Sequence, residues 1–148
     1  MIHFDGTESY PTPAAALYPK LSDAGFLVRC LPDATVSEAT PDKAEWKLKP
    51  KLSFLTGSLD TTLTLTGRVP NESAAFRILG KAIGASSTVD AVLSLKPTPA
   101  GGTDVHWTAD IVELTGLLKM VPKGLIQSAA QKVIADVWAA VRPRLIES

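Results

Sequence analysis

The sequence predicts an α+β domain in which a curved antiparallel sheet wraps around a long C-terminal helix. Three observations predict it. From Thr35 to Ile111, apolar and polar residues alternate in short runs, the period-two pattern of half-buried strands. Turn residues separate these runs at short intervals, which implies hairpins. From Leu125 to Arg142, apolar residues recur at three- and four-residue steps, the stripe of an amphipathic helix. At 148 residues, with no internal repeat and no long linker, residues 1–148 are expected to form one domain.

Ile2 to Glu8 reads as a first strand, with Ile2 and Phe4 on one face. Pro11 and Pro13 open a short helix, where a missing N–H costs little, with Thr12 as a candidate N-cap. Pro19 is expected to end it. Ser22 or Asp23 caps a second short helix that Pro32 stops. Trp46, Leu48, Leu52 and Phe54 then alternate with lysines and a serine, and Pro50 among them suggests an edge position or a bulge. Leu59, Leu63, Leu65 and Val69 alternate with polar residues up to a turn at Pro70-Asn71. Phe76 and Ile78 share a face of the next strand, which Gly84 ends. Val89, Ala91, Leu93 and Leu95 form another, up to the loop at 97–102. Val105, Trp107, Ala109 and Ile111 face inward on the last strand, and Glu113 continues that register. In the helix, Ile126, Ala129, Ala130, Val133, Ile134, Val137, Trp138 and Val141 lie on one side. Pro122 separates this helix from Leu117–Val121, so a kink or a separate turn is expected there.

Composition narrows the function. Fifteen Lys and Arg balance fifteen Asp and Glu, whereas a general nucleic-acid binder needs a surplus of cations. The single cysteine, Cys30, forms no intrachain disulfide, which fits a reducing compartment. The N-terminus lacks the basic start and apolar run of a secretory signal. No apolar run approaches the roughly 20 residues that span a bilayer. A cytoplasmic protein is expected, with peripheral contact at the inner membrane face as an added option. Phosphate-binding and nucleophile-elbow glycine motifs are absent, and no cofactor is expected.

Three segments carry a family resemblance. Leu21-Ser22-Asp23 is followed by Leu27, Cys30 and Pro32. Gly102-Thr103 leads through Trp107 to Ala109-Asp110-Ile111. Gly116-Leu117-Leu118-Lys119-Met120-Val121 precedes Leu125-Ile126 and Ala129-Ala130. In this order the chain resembles the carbon monoxide dehydrogenase G-subunit family of the START-like (SRPBCC, birch-pollen-allergen-like) superfamily. The resemblance implies the helix-grip fold and a hydrophobic cavity. It also implies a task in some members of bringing a redox enzyme together with a membrane lipid or quinone.

The expected cavity lining comes from both layers. The sheet contributes Trp46, Leu48, Phe54, Leu63, Leu65, Phe76, Ile78, Leu93, Trp107 and Ile111. The helix contributes Ile126, Ala130 and Ile134. Ala129 and Ala130 are small where a filled core would want Leu, though a filled core remains the plain alternative. Leu117, Leu118, Met120 and Val121, flanked by Lys119 and Lys123, form a candidate mouth or membrane lip. Lys43, Lys47, Lys49 and Lys51 read as a solvated outer face. Cys30 reads as a buried small hydrophobe, His3 and His106 as surface residues, and no metal-ligand spacing occurs. The leading function is non-catalytic carriage of a hydrophobic small molecule, a lipid or quinone, as accessory to a membrane-associated redox enzyme. Two rivals remain: a polyketide cyclase-like enzyme, for which Glu113 is the one candidate acid, and an accessory protein acting through its surface.

Overall fold

The computed structural model describes residues 2–49 and 57–146. Strand β1 (Ile2–Tyr10) leads into helices α1 (Ala14–Leu21) and α2 (Ala24–Arg29). Strands β2 (Thr35–Ala39), β3 (Lys43–Leu48), β4 (Leu59–Val69), β5 (Ser73–Ala82), β6 (Ala85–Pro97) and β7 (Thr103–Gly116) follow. A short 3-10 turn (Leu117–Met120) connects to helix α3 (Lys123–Leu145). The seven strands form one antiparallel sheet in the order β1-β7-β6-β5-β4-β3-β2. This is the helix-grip α+β fold that the sequence predicts.

Local chemistry explains most boundaries. The Asp23 carboxylate accepts from the Phe26 N–H at 3.1 Å, so Asp23 is the working cap of α2. Helix α1 starts differently from expectation: Pro13 is its N-cap, and no side chain caps it. Nor does Pro19 end it. The helix continues to Leu21, because Leu17, Tyr18 and Leu21 are all buried and the Ser22 N–H closes the last turn on the Tyr18 carbonyl at 2.9 Å. One missing hydrogen bond is outweighed by that burial. Pro122 behaves as expected and separates the 3-10 turn from α3, which it caps. Helix α3 runs past Arg142 and takes Pro143 into its last turn.

The ladder registers determine which side chains face the helix. Trp46, Thr61, Gly80 and Ser87 stand opposite one another across β3, β4, β5 and β6. The next rows toward the other end hold Ala44, Leu63, Ile78 and Val89, then Leu65, Phe76 and Ala91. Beside them on β7 lie Ile111, Ala109 and Trp107. A bulge in β7 changes one assignment. Thr88 pairs with Glu113, but Val89 pairs with Ile111, so Val112 is the extra residue. The inserted residue turns Glu113 to the exposed side, and Leu114 takes the register next to Ser87. Uninterrupted register would have carried Glu113 inward; the bulge leaves it at the surface instead, the commoner outcome for an acid near a strand end.

The buried core falls into two clusters. One gathers Tyr10, the α1 and α2 residues Leu17, Leu21 and Val28, the strand residues Leu63, Phe76, Leu95 and Val105, and Val141 and Leu145 from the end of α3. The other gathers Ile2, Phe4, Ala85, Ile111, Leu118 and, from the start of α3, Ile126.

Candidate ligand-binding site

Between the two clusters, neither layer is sealed against the other. In α3 only Ile126, Val141 and Leu145 are buried, so the helix is held at its ends. Its middle residues Ala130, Ile134 and Trp138 are half-buried. The sheet residues Leu65, Ile78, Val89, Ala91, Leu93, Trp107 and Ala109, all on the face that carries the core, are half-buried as well. In a filled helix-on-sheet core these inward positions would be covered. Val133 and Val137 are exposed at 50% and 38%, so the apolar stripe of the helix is wider than the surface it meets.

A groove of about 680 Å³ opens this region along the free edge of the sheet. Its walls are Phe4, Gly6 and Glu8 of β1, Trp107 of β7, and Gln131, Ile134, Trp138 and Arg142 of α3. The indoles of Trp107 and Trp138 lie 6.5 Å apart between centroids and are tilted by 38°. Gly6 makes this possible. A Cβ at position 6 would lie 2.7–2.9 Å from three atoms of the Trp107 indole, so the ring rests directly on the β1 backbone. A smaller recess of about 230 Å³ lies at the other end of α3, between Ile2, Ile111, Leu114 and Lys123.

One polar cluster closes the groove near the C-terminal end of α3. Arg142 Nε donates to Glu8 Oε1 at 2.8 Å, and the Tyr10 hydroxyl donates to the same oxygen at 3.4 Å. Burial pushes the Tyr10 hydroxyl up to about 12, and the neighbouring Glu8 charge pushes the same way. These groups tie the first strand to the last helix. Sequence reading did not find them, since Glu8 and Arg142 lie at opposite ends of the chain.

The expected lining residues divide between these places. Trp46, Leu65, Ile78, Leu93, Trp107, Ala130 and Ile134 lie in the half-buried band. Leu63 and Phe76 belong to one buried cluster, and Ile111 and Ile126 to the other. Leu48 is half-buried at the end of β3. Phe54 lies outside the described residues, as does Lys51. At the candidate lip, Leu117 and Met120 are exposed at 58% and 81%, and Val121 is half-buried. Leu118 instead is buried and anchors the turn. The fold adds Ile83, 78% exposed at the tip of the β5–β6 hairpin. Leu117 N–H donates to the Gly84 carbonyl at 2.9 Å, which holds the two tips side by side.

The remaining candidates have structural settings. Lys43 pairs with Glu38 and Glu45, and Lys47 with Asp60, as befits a solvated face; Lys49 is exposed. Cys30 is buried, and its thiol donates to the Phe26 carbonyl at 3.3 Å. His106 is exposed, and His3 bridges Asp110 and Asp5 at 2.6 and 2.8 Å on the outer side of β1. Among the described residues there is no group of three or more His, Cys, Asp or Glu that could hold a metal ion. No helix among them is long and apolar enough to cross a membrane.

A family model for the G subunit of carbon monoxide dehydrogenase (CoxG) matches residues 6–146. The chain belongs to the CoxG family. No curated protein matches it. Solved structures share its fold at low identity. A conserved protein from Geobacillus kaustophilus superposes with a TM-score of 0.82 at 16% identity, covering 97% of this chain and 95% of its own. A START superfamily protein from Mycobacterium smegmatis gives 0.69 at 12% identity, with coverages of 97% and 96%. Ara h 8.0201 gives 0.65 at 12% identity over 99% of both chains. The resemblance read from the three sequence segments thus identifies both the family and the START-like fold.

Proposed function

We propose that the protein binds a hydrophobic small molecule, a lipid or quinone, without transforming it. The guest lies between the middle of α3 and the inner face of the sheet. One observation carries this reading: the helix is buried only at its two ends, while its middle and the sheet opposite keep accessible apolar surface. Covering that surface would stabilise a complex at roughly 25 cal/mol per Å² of apolar area. The family's name supplies the partner in this proposal, a redox enzyme that the protein serves as an accessory. The exposed tip formed by Ile83, Leu117 and Met120, beside Lys119, supports delivery at a membrane surface.

The cyclase-like alternative named Glu113 as its candidate acid, and the β7 bulge turns that residue outward. The test is native mass spectrometry of protein purified from its own host, with an organic extract of the same sample. The expected result is a co-purifying lipid or quinone released on denaturation. An apo mass, together with no thermal shift from a lipid and quinone panel, would overturn the proposal.

A further inference from the structure

One polar atom in the interior has no partner. Trp46 Nε1 is buried and makes no hydrogen bond, and among the described residues it is the one buried side-chain nitrogen or oxygen in that condition. A buried donor without an acceptor is rare in native proteins, because removal from water is uncompensated. Its surroundings show a pattern. Trp46 pairs across the ladder with Thr61, Thr61 with Gly80, and Gly80 with Ser87. This row crosses four strands on the face that carries Leu63, Ile78 and Phe76, all apolar. Thr61 is buried at 8% exposure. Ser87 leans over Gly80, where an added Cβ would meet its hydroxyl at 3.1 Å. Trp46 and Thr61 are directly opposed, about 5 Å apart at Cβ, and Ser87 stands two strands from Thr61 across Gly80, so the row sets an indole and two hydroxyl side chains as a polar stripe across the apolar face.

We infer that this stripe is a specificity subsite: it binds an acceptor oxygen, such as a carbonyl, on an otherwise apolar guest. The inference rests on the proposal that the inner face of the sheet takes such a guest. Trp46 offers a donor with no acceptor role of its own. The Thr61 and Ser87 hydroxyls donate or accept as the guest requires. Gly80 keeps the row low between them, where any larger residue would press on Ser87. The surrounding apolar face binds any hydrophobe of suitable size, whereas the stripe discriminates. A guest that lacks the oxygen leaves the Trp46 N–H as unsatisfied as it is in the ligand-free protein. A guest that carries it satisfies that group. Trp46 is therefore a selectivity device whose cost falls on the ligand-free state.

Two probes separate the contributions: prodan, a fluorescent ketone whose emission shifts to the red when its carbonyl accepts a hydrogen bond, and pyrene, a hydrocarbon. The full chain binds both if the interior takes apolar guests. Trp46→Phe keeps an aromatic ring, removes the indole N–H and gives up part of the ring that packs against the core. It should weaken prodan by about three- to tenfold, the worth of one hydrogen bond, and move its bound emission to the blue. Pyrene affinity, which owes nothing to the N–H, should change much less than prodan affinity. Relief of the unsatisfied donor offsets part of the packing lost with the smaller ring, so the melting temperature of the ligand-free protein should fall by only a few degrees. Thr61→Val, close to isosteric, should weaken prodan in the same sense. Equal prodan affinity and emission in wild type and both variants would overturn the subsite while leaving the guest-binding proposal intact. Failure of wild type to bind either probe would overturn both.

Discussion

At the scale of single residues, the first strand does two jobs with its two faces. Inward, Gly6 lets the Trp107 indole lie on the backbone, and Glu8 holds Arg142. Outward, His3 sits between the Asp110 and Asp5 carboxylates and pins the edge strand to β7. The hydrogen bond to Asp110, then that to Asp5, raises the His3 pKa above its ordinary 6.5. A raised value in the folded state means that protonation favours folding. That contribution is fully present below pH 6.5 and is lost as pH rises through the folded value. Thermal melts from pH 5 to 8 should therefore show a small decline that is absent in His3→Gln. Screening at this exposed site keeps the effect small and sensitive to salt. A His3 titration by NMR at or below 6.5 would contradict the assignment. Apart from the contact of His3 with Asp5, none of these roles is legible in the chain, since each pairs positions more than a hundred residues apart.

At the scale of elements, the decisive feature is how α3 meets the sheet. Its periodicity was readable, and so was the face that it presents. What periodicity does not contain is the distance to the opposing layer. Eight apolar positions line one side of the helix, yet only Ile126 and Val141 among them are buried. Ala130 tests the gap directly. In a filled core, Ala130→Leu would overpack at about 1–3 kcal/mol. In the half-buried middle of α3 it should change stability by less than about 1 kcal/mol and lower the affinity for apolar guests. Urea unfolding and a probe titration on the same variant check both halves. A large loss of stability would mean that the space is already filled. Strand β7 carries the complementary lesson. Period-two reading placed Glu113 inward, but the bulge at Val112 adds one residue and reverses the face of everything after it. Nothing in the residue pattern Ile111-Val112-Glu113 marks a bulge, because either of two apolar neighbours can take the inward place.

At the scale of the whole molecule, a balanced formal charge conceals an uneven tip. The β5–β6 turn and the 3-10 turn meet at one end, where Ile83, Leu117 and Met120 project and Lys119 stands between the last two. Lys123 begins α3 just beyond. Apolar insertion with flanking cations is the chemistry of an anionic lipid surface. The double variant Leu117→Ser with Met120→Ser removes two exposed side chains and should leave the melting temperature within a few degrees. Sedimentation with vesicles of phosphatidylcholine and phosphatidylserine should fall several-fold, and wild-type binding should weaken as salt rises. Undiminished binding by the double variant would remove the tip from the mechanism. Leu118 is unsuitable for this purpose, since it is buried and its loss would damage the fold.

The sequence by itself determined the element order, the inward faces of most strands, the C-terminal helix and the family. These follow from local periodicity, turn chemistry and short motifs, all of which act between near neighbours along the chain. The tertiary structure alone decided that α3 is buried at its ends and open in its middle. It also decided that Glu8 meets Arg142, that Ile83 joins Leu117 at one tip, and that the Trp46 N–H is left without an acceptor. The reason is physical. Pattern reports which side of an element is apolar, whereas cavities, long-range pairs and unsatisfied donors depend on how far apart two packed layers stand.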